Sequence, residues 1–225
     1  CTHGSNWRAA HPGLTRLAVS GDRTRLLNAP GVPICPHARF ASKRHLRLAL
    51  QYGGYWLLTT LAIFVIFRNW AYDDPYITYR YAQNLAHGLG FVYNPGERIL
   101  STTTPLFALL LAIPAAVCQN LPRVANLISA ASIALGGLLL WDLGRVLNSR
   151  MAAWAGLLLY PTFMLTAMTT GSETPLYLAF CLAAFAAFAR QRYTLAAAAS
   201  ALAVLARPDG ILVPVILALA YLPEL

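Results

Sequence analysis

The chain has 225 residues, 58% of them hydrophobic and only 11% charged, with a mean hydropathy of +0.54. From Tyr52 onward, apolar runs of membrane-spanning length recur, and stretches such as 151–168 lack the polar face that a water-soluble bundle needs. The net charge of +9 is concentrated in residues 1–50, where eight Arg and Lys stand against one acid, Asp22; a basic flank of this kind orients a first span with its N-terminus cytoplasmic, and reads less well as a nucleic-acid arm.

These features predict an all-α fold: a polytopic transmembrane helical bundle over 51–225, preceded by a basic, disordered tail or extension over 1–50. Residues 1–45 are rich in Pro, Gly, Arg and Ser and show no period of 2 or 3.6. The four cysteines, Cys1, Cys35, Cys118 and Cys181, form no CxxC and suggest neither a disulfide framework nor a metal site. Beginning at Cys1 and ending at Leu225 directly after an apolar run, the chain reads as an N-terminal portion of a longer protein.

The first predicted span covers 52–70, with aromatic residues at both ends as interfacial anchors and KRHLR at 43–47 on its basic side. The loop that follows, 73–105, reads DDPYITYRYAQNLAHGLGFVYNPGERILSTTTP and gathers much of the chain's charge. Polar groups at the mouth of a membrane bundle are costly unless they have a role. Asp74 followed by Pro75 predicts a helix start, with the helix ending near His87 and Gly88. Ile77, Tyr81 and Leu85 make an apolar stripe beside a polar one of Tyr76, Arg80 and Asn84, as in a helix lying on a membrane surface. Asn94-Pro95-Gly96-Glu97 reads as a tight turn.

The apolar piece 105–118 contains Pro114 and is short for a span. Read as interfacial or re-entrant, it leaves Arg145, Arg150, Arg190 and Arg192 on the cytoplasmic side. Spans are then expected at 124–144, 151–170, 175–189, 193–206 and 211–225. The polar breaks at 171–174 (GSET) and 207–210 (RPDG) would share the outer face with Asp73 and Asp74.

Each polar residue has a structural and a functional reading. Asp74 could be a helix cap. Asp73 is not explained by capping, and adjacent carboxylates suit a general base or a divalent cation, the one cofactor this sequence raises. Arg80 could snorkel, pair with those acids or hold a phosphate. Asn94 and Glu97 could serve only the turn, and Ser101 to Thr104, Thr103 among them, could start a helix or bind a sugar or phosphate. Glu173 suits a helix start. Arg207 and Asp209 could form an ion pair in a helix break lining a cavity. The sequence contains no GxGxxG, P-loop, HExxH or GxSxG.

Together, the DDPYITYRYAQNLAHGLGFVYNPGERI loop, GSETPLY and LARPDG resemble the GT-C superfamily of polytopic glycosyltransferases. The resemblance extends over about 55–215 and lies nearest to bacterial proteins related to mycobacterial arabinofuranosyltransferases. It departs after Glu97, where ILSTTTPL stands in place of an EGYTSPL-like stretch. The resemblance implies an enzyme of the plasma membrane with an extracytoplasmic site. Its donor would be a polyprenyl-phosphate sugar, transferred with inversion to a glycan, lipid or protein acceptor. Asp73, with Asp74 beside it, would be the base, while Tyr76, Arg80, Asn84, Asn94, Glu97, Thr103, Glu173, Arg207 and Asp209 are substrate-binding candidates. A portion of such an enzyme could hold the acids and still be inactive alone. The alternatives are a transporter or flippase for lipid-linked or small solutes, built on the same broken helices, and a non-catalytic membrane subunit.

Overall fold

The computed structural model describes residues 37–97 and 102–222, with side chains from Leu46 onward. Arg47–Leu225 forms one compact unit. Residues 37–50, grouped with the tail by composition, belong to the first helix; the rest of that tail, with Arg98 and Ser101, lies outside the described residues.

The described residues are helical, without strands. The helices are α1 (His37–Phe67), α2 (Pro75–Ala86), α3 (Pro105–Ala115), α4 (Leu121–Val146), α5 (Arg150–Leu159), α6 (Met164–Met168), α7 (Thr174–Ala189), α8 (Tyr193–Ala206) and α9 (Leu212–Tyr221). Single 3-10 turns lie at Tyr160–Thr162 and Pro208–Ile211. Local chemistry explains most of the helix ends. Proline occupies the first turn of α2, α3, α4 and α7, where its missing N–H breaks no helical bond. Side-chain oxygens of Asn120 and Ser149 cap α4 and α5 by accepting from Arg123 N and Ala152 N.

Three segments are long and apolar enough to cross a membrane: Leu46–Phe67, Leu121–Val146 and Arg150–Met168. The third is broken at Pro161, where the 3-10 turn gives way to extended backbone at Phe163 before α6 begins. The other expected spans are shorter. α7, α8 and α9 have 16, 14 and 10 residues, below the roughly 20 that an upright helix needs. α3, with 11 residues, falls below that length as well.

α4 is the central post. Its membrane-length window is 50% buried within the protein, against 11% for α1, which leaves α1 at the periphery with most of its apolar surface outward. α4 packs against α5 and α7, and α7 in turn against α8. Small residues allow the closest approach: a Cβ on Gly144 would sit 2.5 Å from Ala153 N, and so α4 and α5 touch backbone to backbone there.

α2 and α3 form a separate pair across the top of α4. Tyr79, Ala82, Phe107, Leu111, Leu121 and Ala125 make one buried cluster. The expected apolar stripe of α2 is not continuous: Ile77 is exposed, whereas Tyr81 is fully buried, its ring against Phe91 and Tyr93. The face that α2 buries runs instead through Pro75, Thr78, Tyr79 and Ala82, because α3 packs on that side.

Candidate active site

Hydrogen bonds fix which helix ends lie together. Trp70 Nε1 donates to Met168 O, and Asn126 Nδ2 donates to both Phe67 O and Trp70 O, which joins the end of α1, the start of α4 and the end of α6. At the far end, Arg190 makes a two-pronged ion pair with Asp142, with Nε donating to Oδ2 at 2.7 Å. Arg145 there donates to Tyr52 OH. The breaks at 68–74, 169–174 and 207–210 therefore share one end of the bundle, and the basic turns at 145–150 and 190–192 share the other.

The break between α6 and α7 is pinned from three directions. Tyr79 OH donates to Gly171 O at 2.6 Å, Gly171 N donates to Ser129 Oγ, and Ser129 Oγ donates to Ser172 O. Gly171 has φ +100, and a Cβ there would lie 2.7 Å from Asn126 Oδ1. Only glycine fits both the dihedral and the space. Ser172 Oγ accepts from Thr174 N and so takes over the capping of α7. Glu173 stands at the N-cap position without a side-chain capping bond, which leaves its carboxylate free for other contacts.

Glu173 uses that freedom on Arg207, whose Nη1 donates to Glu173 Oε1 at 3.1 Å while Nε donates to Asp209 Oδ1 at 3.0 Å. The guanidinium also lies 5.7 Å from the centre of the Tyr177 ring. Burial alone would lower the pKa of Arg207, but Asp209 and Glu173 outweigh it and the value ends raised. The anticipated Arg207–Asp209 pair is present, with Glu173 as a third member. The Glu173 side chain is only 13% exposed, against 49% for Asp209, so the Glu173 contact is the better shielded of the two.

Asp74 meets this group across a small pocket of about 70 Å³, lined by Asp74, Thr78, Thr103 and Glu173 among others. Asp74 stands at the N-cap of α2 but makes no side-chain capping bond; its backbone carbonyl accepts from Ile77 N. Thr78 and Thr104 hydroxyls lie 3.0 Å apart and Thr102 and Thr104 hydroxyls 3.2 Å apart, while Thr103 is exposed. Tyr72 lies in the same electrostatic field. Burial chiefly raises its pKa, Glu173 and Asp74 add to the rise, and Ser172 and Arg207 oppose it.

The other candidates fall elsewhere. Asp73 is exposed and outside this pocket. Tyr76, Arg80 and Asn94 line a larger groove on another face of α2. Asn84 is buried, and its amide is spent on the carbonyls of Val92 and Tyr93, bracing the loop after α2. Glu97 accepts from Asn94 Nδ2 in the expected turn, in which Gly96 has φ +91 and Glu97 N donates to Asn94 O.

Three supporting residues were not singled out from sequence: Tyr79, Asn126 and Ser129. Two of them had a visible signal, since Asn126 and Ser129 are polar residues one helical turn apart inside an apolar run. Among the described residues, no three His, Cys, Asp or Glu side chains are grouped as a cation would need. Asp73 and Asp74 offer two carboxylates without a third ligand of that kind. No protein-family model, curated protein or solved structure compared with the chain matches it.

Proposed function

We propose that this chain carries the catalytic site of a GT-C-like membrane glycosyltransferase that moves a sugar from a polyprenyl-phosphate donor to a cell-envelope acceptor. The observation that carries this reading is the meeting of Asp74 and Glu173 on one pocket, with Arg207 held against Glu173. The pocket admits a hydroxyl or a phosphate group but not a whole sugar ring, so the bulk of any substrate lies outside it. In the reaction, a carboxylate removes the proton from the acceptor hydroxyl. That oxygen bonds to the anomeric carbon from the face opposite the leaving group, and the bond from carbon to the phosphate oxygen breaks. The polyprenyl phosphate departs as an anion, so it needs positive charge more than a proton donor.

Asp74 is the better-placed base, because it borders the pocket while Asp73 does not. Arg207 is the cation nearest to this chemistry, and the exposed Asp209 is the partner a phosphate would displace. The orientation is part of this reading: the basic KRHLR before the first span favours a cytoplasmic start to α1, and Arg145 bonds to Tyr52 near that start, so the Glu173 end is read as outside.

The test is transfer from a radiolabelled polyprenyl-phosphate sugar by the full chain in membranes. Asp74→Asn should lower turnover by about 10²–10⁴-fold with membrane insertion unchanged, and Asp73→Asn should do less. Wild-type turnover in Asp74→Asn would remove the assignment of the base to Asp74.

A further inference from the structure

On the other side of α2 lies a groove of about 870 Å³, within the size range of ligand sites. Tyr76, Tyr79, Arg80 and Gln83 form its α2 wall, at the i, i+3, i+4, i+7 spacing of one helical face. Tyr93 and Asn94 supply the second wall. Gln119 and Asn120, just before α4, supply the third. Four side-chain amides and three tyrosines therefore face one space. The lining holds no carboxylate, and Arg80 is its one formal charge.

The rings are braced from below. Tyr76 packs edge-on to Tyr79 at 5.2 Å, Tyr79 is anchored through its hydroxyl to Gly171, and Tyr93 lies 6.2 Å from the buried Tyr81. Tyr76 and Tyr93 remain 49% and 40% exposed. Rigid, half-exposed rings flanked by amides offer flat apolar faces beside both donors and acceptors, the combination that a sugar ring with its hydroxyls requires. A lipid chain would leave the Gln83 and Gln119 amides and the Arg80 guanidinium buried without partners, while Asn94 and Asn120 already bond to Glu97 and Arg123 N. A polyphosphate would find a single cation.

We infer that this groove binds an oligosaccharide, holding the acceptor chain on one side of α2 while its reacting end reaches Asp74 on the other. Calling the saccharide an acceptor rests on the transferase reading; its binding does not. The test uses the detergent-purified full chain on an array of four- to six-unit oligosaccharides, comprising neutral pentose, neutral hexose and uronic-acid chains. At least one class should bind. For that class, Tyr76→Ala and Arg80→Ala should each weaken binding at least tenfold, with the circular dichroism spectrum and melting temperature retained, and Arg190→Ala at the far end should bind as wild type. Two results would overturn the inference: no binding to any chain, or full binding retained by a Tyr76→Ala/Arg80→Ala double variant. Saccharide binding without transfer would retain the groove and count against the transferase reading, and transfer without binding would do the reverse.

Discussion

The two ends of the bundle carry their charge in different ways. The Arg190–Asp142 end holds its ion pair in the open, with side chains 42% and 35% exposed, and its remaining arginines, Arg145, Arg150 and Arg192, are exposed at helix ends and turns. The Glu173–Arg207 end gathers Asp73, Asp74, Glu97, Glu173 and Asp209, five of the chain's eight acids. It also rests on a buried polar layer formed by Tyr79, Asn126, Ser129 and Gly171. Arginines do not separate the ends: Arg68, Arg80, Arg123 and Arg207 lie at the second, Arg145, Arg150, Arg190 and Arg192 at the first. What separates them is the buried framework, because desolvated hydrogen bonds are costly to build and hold a loop in one arrangement. The open end is held by exposed charge; the braced end is held by buried hydrogen bonds.

Breaking the brace at its tightest point should have the largest effect. Gly171→Ala combines a disfavoured positive φ with a Cβ placed against Asn126. We expect a loss of about 2–4 kcal/mol in stability, read by thermal or denaturant unfolding in detergent. Asn126→Ala removes two hydrogen bonds to the end of α1 and should cost about 2–3 kcal/mol by the same measurement. An unchanged melting temperature for either variant would mean that the layer does not brace the loop.

Tyr79→Phe should cost less, about 1–2 kcal/mol, since one carbonyl loses its donor and the ring remains. Burial raises the Tyr79 hydroxyl above its ordinary pKa of 10.0. The contribution linked to that shift is complete below about pH 10 and lost as the pH rises through the folded-state value. The phenylalanine variant should therefore show a shallower alkaline loss than wild type in a pH-dependent unfolding series. The smallest effect belongs to the other end. Arg190→Ala should change stability by no more than about 1 kcal/mol, and added salt should erase the difference. A larger, salt-insensitive loss would erase the contrast between the ends.

Much of this arrangement was readable from the chain. Asp74-Pro75, Pro105 and Thr174-Pro175 announce helix starts, Asn94 to Glu97 announces a turn, and GSET and RPDG interrupt apolar runs where the structure has loops. Helix lengths were less legible, because an apolar run such as 193–206 states its composition but not whether it crosses alone. The break at Pro161 was written in the sequence, inside a stretch expected to be one span. Which acid borders the small pocket was not legible. Asp73 and Asp74 are neighbours in sequence, and only the start of α2, with Thr78 and Thr103 around it, places Asp74 on the pocket that Glu173 also lines. The role of Asn84 was hidden similarly, since a polar stripe does not reveal that one member will be covered by the following loop.

The account depends on the acidic, braced end facing away from the cytoplasm while the basic end faces it. Single cysteines at Thr103 and Asp209 on one end, and at Asn148 and Gln191 on the other, in a chain lacking the four native cysteines, would be probed in intact cells with a membrane-impermeant maleimide. Thr103→Cys and Asp209→Cys should label from outside, and Asn148→Cys and Gln191→Cys only after permeabilisation. Labelling of Asp209→Cys and Gln191→Cys from the same side, or of Thr103→Cys only after permeabilisation, would contradict it.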